Sequence, residues 1–134
     1  PNSSELNQAI LTAGKKLLLP RIIEDRGEVG LEWVPWNGDP QNLKERGRIF
    51  EPFGPADTDH KQIDVVIVPA LRVDSDGYRL GQGGGFYDRA LAHLAAWSIA
   101  LIFPEEISGQ PLPRESHDIP VNAYATYDMV LRLT

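Results

Sequence analysis

The sequence predicts an α/β fold: a three-layer, mostly parallel, Rossmann-like sheet with helices on both faces. Two apolar runs, Ile63–Val68 and Ser98–Phe103, are typical of buried strands, and the helical pattern Phe86–Ala96 lies between them. A strand, a helix and a second strand in this order form a βαβ unit, whose strands run parallel. The length suits one hydrophobic core, so we predict a single α/β domain over residues 1–134.

The N-terminal part of the chain is predicted to contain a helix and a strand pair. Ser4–Ala13 has apolar residues at helical spacing, a serine to cap it and Gly14 to end it. Lys15–Ile23 is predicted as a strand covered on both faces, because its apolar run is continuous. Glu24–Glu28 is predicted as a hairpin turn, with Val29–Trp36 as the partner strand.

The segment after this hairpin is rich in residues that break regular structure. Gln41–Arg46 is predicted to form one helical turn. Ile49–Pro55 contains Pro52, Gly54 and Pro55 and is predicted to be irregular.

The C-terminal half alternates regular elements with polar loops. Ala70–Tyr78 is predicted as a loop with a turn at Asp74–Gly77, and Glu105–Pro120 as a long polar loop. Tyr127–Leu133 is predicted as the final strand. In the helix Phe86–Ala96, the residues at inward-facing spacing are Leu91, Leu94 and Ala95.

Composition and charge narrow the classes of function. Apolar residues make up 42% and charged residues 24% of the chain, as in ordinary globular domains. A net charge of -6 argues against a nucleic-acid partner, which needs many cations. The chain has no cysteine, which excludes disulfides and thiolate metal sites. No apolar run approaches the roughly 20 residues of a membrane span. We therefore expect a cytoplasmic protein that binds neither nucleic acid nor membrane.

The most informative stretch is the glycine loop, Arg79–Arg89, which follows a strand and opens a helix. It contains Gly81 and the run Gly83–Gly85. Three glycines in a row at a helix entrance cost roughly 2 kcal/mol relative to alanine. One turn needs only one or two, so the excess indicates that a ligand approaches the backbone closely. An anion at a helix N-terminus is the commonest such ligand.

The glycine loop matches neither of the two common nucleotide-binding patterns. No Gly-Lys-Ser/Thr closes it, and Phe86 stands where a dinucleotide fingerprint has its third glycine. Arg79 and Arg89 can still contact phosphate oxygens, and Asp88 can stabilise the helix dipole or reach a phosphate-bound Mg²⁺. The alternative from the residues alone is a tight turn with a surface Asp and two solvated Arg side chains.

These residues also carry a family resemblance. Val68-Pro69, followed by Asp76 to Leu91, resembles the motif of the 5-formyltetrahydrofolate cyclo-ligases, also called methenyltetrahydrofolate synthetases. Phe86 replaces the first Tyr of the Tyr-Tyr pair in that motif. Further matches follow in the family's order: Leu18–Pro20, Glu51-Pro52, Leu112–Asp118 and Thr126. The resemblance covers essentially the whole chain.

The resemblance implies an enzyme that uses ATP and Mg²⁺ to convert 5-formyltetrahydrofolate into 5,10-methenyltetrahydrofolate, releasing ADP and phosphate. It also implies a monomer. The family has an N-terminal helical segment, with a Lys and an Arg that contact ATP, before the segment that Pro1 begins. We therefore expect this chain to be the catalytic portion of a cyclo-ligase that lacks this segment.

Roles for individual residues follow from the same resemblance. Arg79 and Asp88 are the implied catalytic residues, Asp88 and Asp118 the implied Mg²⁺ ligands, and Glu5 and Tyr87 the implied folate contacts. Without the resemblance, Glu5 is most simply a first-turn carboxylate that stabilises its helix by a few tenths of a kcal/mol. The residues implied to bind ATP are Arg79, Gly81, Gln82, Gly83, Gly84, Gly85, Phe86, Tyr87 and Asp88.

Two other functions remain open from the residues. One is a non-catalytic folate- or nucleotide-binding relic of the same fold, and the other is an unrelated sugar- or nucleotide-phosphate enzyme with the same loop.

Two polar residues of the loop 105–120 have simpler interpretations. His117 is expected to have a positional role or to be a lone exposed histidine, and Arg114 is most simply a solvated pair with Glu115.

Overall fold

The computed structural model describes residues 4–47, 49–81 and 85–134. These residues divide into two compact units, an N-terminal unit up to Asp59 and a C-terminal unit from His60 to Thr134. The single domain expected over residues 1–134 stays a prediction. In the described part of the chain, no helix has the length and apolar character needed to cross a membrane.

The N-terminal unit contains one helix and two antiparallel hairpins. Its elements are α1 (Ser4–Thr12), β1 (Leu18–Asp25), β2 (Glu28–Pro35), β3 (Leu43–Arg46) and β4 (Ile49–Pro52). The predicted first helix and the predicted strand pair are confirmed, with β1 and β2 in register from Leu18↔Pro35 to Asp25↔Glu28. β1 is half-buried or exposed where its burial is described, so the prediction of a strand covered on both faces was wrong.

The second hairpin of this unit corrects two predictions. Residues 41–46 do not form a helical turn: only Pro40–Asn42 is a short 3₁₀ turn, and Leu43–Arg46 is a strand. Residues 49–52 are not irregular but form its antiparallel partner. A contact between distant parts of the chain stabilises this second hairpin. The buried Glu51 carboxylate accepts a hydrogen bond from the Ile22 N–H at 2.6 Å, which holds β4 against β1.

The C-terminal unit contains the predicted βαβ unit. Its elements are β5 (Val65–Pro69), β6 (Arg72–Val73), β7 (Arg79–Leu80), α2 (Phe86–His93), β8 (Trp97–Leu101), β9 (Ala123–Ala125) and β10 (Val130–Arg132). β5 and β8 pair in parallel from Val65↔Trp97 to Pro69↔Leu101, with α2 between them in the chain. The four-stranded sheet has the order β10-β9-β8-β5.

Fewer strands run parallel than predicted. β5, β8 and β9 are parallel, but β10 is antiparallel to β9, and the other three sheets of the described chain are antiparallel pairs. The described fold is therefore α/β with a mixed sheet. A three-layer, Rossmann-like arrangement with helices on both faces stays a prediction.

Three boundaries in this unit also differ from prediction. α2 ends at His93 rather than Ala96, because the backbone of Leu94 is already extended and the chain must reach the Trp97–Asp64 hydrogen bond that opens β8. The final strand begins at Val130 rather than Tyr127, because Thr126 N–H bonds Met129 O in a turn. The predicted loop 70–78 contains β6, which pairs with β7.

The core of the C-terminal unit lies in the middle of its sheet. Val68, Ala100 and Ala123, on adjacent strands, are completely buried. Beyond the carboxyl end of β5 the chain leads into β6, β7 and the glycine loop. The carboxyl ends of parallel strands are where open α/β sheets bind ligands.

Candidate functional site

The guanidinium of Arg79 lies almost entirely inside the C-terminal unit. Its side chain is 6% exposed, and the antiparallel pairing of β7 with β6 positions it. One terminal nitrogen lies 3.3 Å from Oδ1 of Asp88, and the other donates a long 3.5 Å bond to the Pro69 carbonyl. Its buried Nε has no hydrogen-bond partner among the described residues. A buried cation with an unused donor is suited to an incoming anion.

Gly81 and Gly85, which flank residues 82–84, each lie close to an arginine side chain. A Cβ at position 81 would lie 3.3 Å from Nη1 of Arg79. Gly85 precedes α2 with φ +65°, in the left-handed region, and a Cβ there would lie 3.2 Å from Nη1 of Arg89. The positive φ favours glycine at position 85, whereas a Cβ at position 81 would only require the Arg79 side chain to shift by a few tenths of an ångström. The predicted phosphate contacts Gln82, Gly83 and Gly84 lie outside the described residues.

Asp88 connects the glycine loop to the polar loop 105–120. It stands in the first turn of α2, where the helix dipole stabilises a carboxylate. Its Oδ1 accepts a 3.2 Å hydrogen bond from the backbone N–H of Ile119, and its side chain is 17% exposed. Asp88 thus contacts Ile119, the residue that follows Asp118.

Asp118 is held by its own loop. Its Oδ2 accepts a 2.7 Å hydrogen bond from the N–H of Glu115, whose carbonyl in turn accepts from the Asp118 N–H. The exposed His117 lies 3.5 Å from a Glu115 oxygen and 3.6 Å from Oδ1 of Asp118. This arrangement favours a positional role for His117.

The described residues contain no group of three or more His, Asp or Glu side chains that could hold a metal ion by themselves. Asp88 lies in the first turn of α2, and Asp118 precedes the Ile119 whose N–H contacts Asp88. Two such carboxylates suit Mg²⁺, which proteins commonly bind through one or two carboxylates and the phosphates of a substrate, with water completing the octahedron. The pair does not fit an all-protein metal cage.

Tyr87 is placed beside Arg79. The Arg79 guanidinium carbon lies 5.8 Å from the centre of the Tyr87 ring. Burial raises the pKa of the Tyr87 phenol above its usual 10.0, and the charge of Arg79 partly opposes this. The phenol is therefore protonated at neutral pH and can donate a hydrogen bond. On the other side of the helix start, Arg89 stacks on Phe86 at 5.3 Å.

Sequence reasoning missed a buried carboxylate next to this site. Asp74 is 1% exposed and accepts hydrogen bonds from the N–H groups of Asp76 and Tyr78 at 3.0 Å and of Leu112 at 2.9 Å. Arg114 completes the set at 3.1 Å, so its predicted solvated pairing with Glu115 was wrong. The turn predicted at Asp74–Gly77 accounts for the hydrogen bonds of Asp74 within its own turn. Its partners Leu112 and Arg114 lie about 40 positions away, and no local feature of the sequence indicates them.

Glu5 belongs to the N-terminal unit. It is an exposed residue in the first turn of α1. It lines an open cleft of about 620 Å³ within that unit. The other lining residues are mostly apolar or amide side chains: Ser4, Asn7, Gln8, Leu19, Trp36, Pro40, Leu43 and Phe50.

Comparison with known proteins agrees with the resemblance. Residues 1–127 match the model of the 5-formyltetrahydrofolate cyclo-ligase family. A 5-formyltetrahydrofolate cyclo-ligase of Mycolicibacterium smegmatis is 36% identical over 132 residues, covering 94% of this chain and 67% of the relative. The Escherichia coli protein of the same name is 29% identical and covers 93% and 70%.

Solved structures give the same result. The NMR structure of Aquifex aeolicus 5,10-methenyltetrahydrofolate synthetase matches with a TM-score of 0.74 and 31% identity, covering 98% of this chain and 65% of that one. The synthetase of Mycoplasma pneumoniae, 18% identical with a TM-score of 0.63, covers 90% and 61% and supports the fold alone. The chain thus spans about two thirds of the length of these relatives. With the family model matching nearly its full length, the chain belongs to the 5-formyltetrahydrofolate cyclo-ligase family.

Proposed function

We propose that this protein catalyses the ATP-dependent cyclisation of 5-formyltetrahydrofolate to 5,10-methenyltetrahydrofolate, with release of ADP and phosphate. The observation that carries the proposal is the buried Arg79, whose Nε lacks a partner among the described residues at the start of the glycine loop. Membership of the cyclo-ligase family supports the proposal that the anion bound there is the phosphate chain of ATP. A monomeric, cytoplasmic enzyme stays the prediction for this chain.

The chemistry explains why a folate cyclisation would need a phosphate site. The formyl oxygen is a poor leaving group, because the formyl group is an amide. Transfer of the γ-phosphoryl group to that oxygen releases ADP and creates a good leaving group. N10 of the folate then attacks the formyl carbon, the carbon–oxygen bond breaks, phosphate departs and the N10 proton is lost to solvent. Such a transfer depends on positioning and charge neutralisation more than on covalent catalysis.

The C-terminal unit supplies groups suited to positioning the phosphates. Arg79 would contact phosphate oxygens through its unused Nε–H and its terminal nitrogens. Backbone N–H groups at the start of α2 would add the positive end of the helix dipole. Gln82, Gly83 and Gly84 are proposed to complete this cradle.

Two carboxylates are proposed to hold Mg²⁺ beside these phosphates. Oδ1 of Asp88 is engaged by Arg79 and the Ile119 N–H. No contact within the described part of the chain involves its other oxygen, which would face the metal together with Asp118. When bound, Mg²⁺ neutralises charge on the transferring phosphoryl group.

The folate side of the proposal rests on the cleft that Glu5 lines. Trp36 and Phe50 line this open cleft with aromatic side chains, and Leu19 and Leu43 add apolar surface. The Glu5 carboxylate can accept hydrogen bonds from N–H groups of a pterin. Tyr87 is the second proposed folate contact.

Asp88→Asn tests the proposal, because the amide oxygen can still accept from Ile119 while the carboxylate charge is lost. We expect kcat/KM for methenyltetrahydrofolate formation, followed by absorbance, to fall at least about 100-fold. Glu105→Gln removes an exposed carboxylate of the same unit and serves as the control with unchanged activity.

Near-normal turnover of the Asp88→Asn variant would contradict the metal assignment. Binding of Mg·ATP and 5-formyltetrahydrofolate to the wild type by calorimetry, without product, would support the non-catalytic alternative instead. No response to folate at all would support the unrelated phosphate enzyme.

A further inference from the structure

The loop that carries Asp118 is attached to the rest of the C-terminal unit at both ends. At one end, the Leu112 N–H and the Arg114 guanidinium both donate to Oδ2 of the buried Asp74. At the other end, the Ile119 N–H donates to Asp88. Between these points, the reciprocal hydrogen bonds of Glu115 and Asp118 close a tight turn. We name residues 112–119 the tethered loop.

Arg114 contributes most of the side-chain contacts at the first attachment. Its guanidinium carbon stacks 3.8 Å above the Tyr78 ring, and the same nitrogen that contacts Asp74 lies 3.4 Å from the exposed carboxylate of Asp76. Asp74 and Tyr78 belong to the turn immediately before β7, the strand that carries Arg79. Arg114 therefore joins the tethered loop to the segment that positions the phosphate-binding arginine.

Asp74 is the residue to which both the turn before β7 and the tethered loop are hydrogen-bonded. Both of its oxygens are engaged: Oδ1 accepts from two N–H groups of its own turn, and Oδ2 accepts from the tethered loop. Each of the four donors compensates part of the cost of burying this carboxylate, so loss of a donor weakens the arrangement. The position of the tethered loop relative to β7 is thereby determined by side-chain contacts as well as by the chain.

We propose that Arg114 is a positioning residue that, through Asp74 and Tyr78, holds the tethered loop, whose Ile119 contacts Asp88, in the position from which Asp118 would receive Mg·ATP. This inference rests on the proposed function. It adds a residue to which the family resemblance assigned no role. Arg114 acts through the loop and contacts neither of the two proposed metal ligands in any hydrogen bond or ion pair within the described residues.

The test compares Arg114→Met with Arg132→Met. Both replace a guanidinium stacked on an aromatic ring of the same unit, since Arg132 lies 5.5 Å from the Trp97 ring, but only Arg114 belongs to the tethered loop and links it to Asp74. Hydrogen–deuterium exchange of the full chain, without ligands, reports the loop directly. In Arg114→Met, we expect about tenfold faster exchange of the amides of Leu112, Glu115, Asp118 and Ile119, with strand β8 unchanged. Arg132→Met should leave the tethered loop unchanged.

Kinetic measurements then show whether Arg114 positions the tethered loop for catalysis or only stabilises the fold. We expect Arg114→Met to raise KM for Mg·ATP about tenfold while KM for 5-formyltetrahydrofolate stays constant. Arg114→Lys, which keeps the charge but not the planar stack, should recover part of the effect. Unchanged exchange in the tethered loop, or faster exchange with an unchanged KM for Mg·ATP, would overturn the proposal. A wild type that forms no product contradicts the proposed function, whereas the exchange data still decide whether Arg114 holds the loop.

Discussion

At the scale of single residues, the unusual feature is the environment of Arg79. An arginine side chain this buried normally has its donors satisfied, yet Nε has no partner among the described residues and the contact to Asp88 is 3.3 Å long. We expect a phosphate oxygen of a bound ligand to satisfy this donor.

Tyr87 gives a pH prediction at this scale. Because burial raises its pKa in the folded protein above 10.0, the folded state holds the phenol proton more tightly than the unfolded state. Its contribution to stability is complete below pH 10 and is lost as pH rises through the folded-state pKa. Between about pH 8 and about pH 11, we expect the melting temperature of Tyr87→Phe to fall by less than that of the wild type. Tyr127→Phe, at a side chain that is 85% exposed, is the control; equal losses in all three proteins would contradict the prediction.

Glu5 gives a substrate prediction. Glu5→Gln preserves the shape of the side chain and removes the charge that we propose contacts folate. We expect KM for 5-formyltetrahydrofolate to rise about tenfold with KM for Mg·ATP unchanged, because one charged hydrogen bond contributes about 1.4 kcal/mol or more. Initial rates with each substrate varied in turn measure this. Glu24→Gln, at an exposed carboxylate of the same unit, is the control. An unchanged folate KM would leave Glu5 as a helix-stabilising residue only.

At the scale of elements, the central strand β9 shows how little local signal a strand needs. It has three residues, Ala123–Ala125, all of them buried between β8 and β10. Alanine has a low strand propensity, but its small side chain suits a crowded sheet centre. The ladder between β8 and β9 is extended by a side chain: Asn122 Oδ1 accepts from the buried Ser98 N–H at 2.8 Å.

This contact predicts the cost of losing Asn122. Asn122→Ala leaves the buried Ser98 N–H without its acceptor, and we expect the free energy of unfolding to fall by about 2 kcal/mol in denaturant titrations. Gln110→Ala removes an exposed carboxamide in the same unit and should change stability by less than about 0.5 kcal/mol. Equal effects of the two substitutions would show that the Ser98–Asn122 bond does not stabilise the sheet.

At the scale of the whole molecule, the chain has a low pI of about 5.0 and a net charge of -6, yet the proposed ligand is an anion. Local geometry resolves this contrast, because the potential at the site depends on Arg79 and the start of α2 rather than on the total charge. In the proposed complex, Mg²⁺ would further reduce the charge of the nucleotide beside Asp88 and Asp118.

Ligand binding gives a prediction at this scale. A ligand that binds only the folded state raises the free energy of unfolding by about 2.7 kcal/mol at one hundred times its Kd. We expect Mg·ATP to raise the melting temperature of the wild type, and ATP with EDTA to raise it less. Asp88→Asn should reduce the Mg²⁺-dependent part, whereas Glu105→Gln should retain it. A melting temperature that does not respond to Mg·ATP would contradict the proposed nucleotide site.

The sequence by itself determined the βαβ unit, the first hairpin, the glycine loop before α2 and the family. These features depend on short-range information: apolar periodicity, turn residues and a contiguous motif. Phe86, Tyr87 and Asp88 stand where the helix start was predicted. The pairing of Asp88 with Asp118 as metal ligands stays a prediction.

Only the tertiary structure decided the second hairpin, β9, the burial of Arg79 and the attachment of the tethered loop. The physical reason is that these features depend on partners far apart in the chain. Ile22 and Glu51 are 29 positions apart, and Asp74 and Arg114 are 40 positions apart. The second hairpin and β9 also have weak local propensities, which burial and distant hydrogen bonds override. Arg114 is an ordinary solvated arginine in the sequence and becomes a structural contact only when Asp74 is buried beside it.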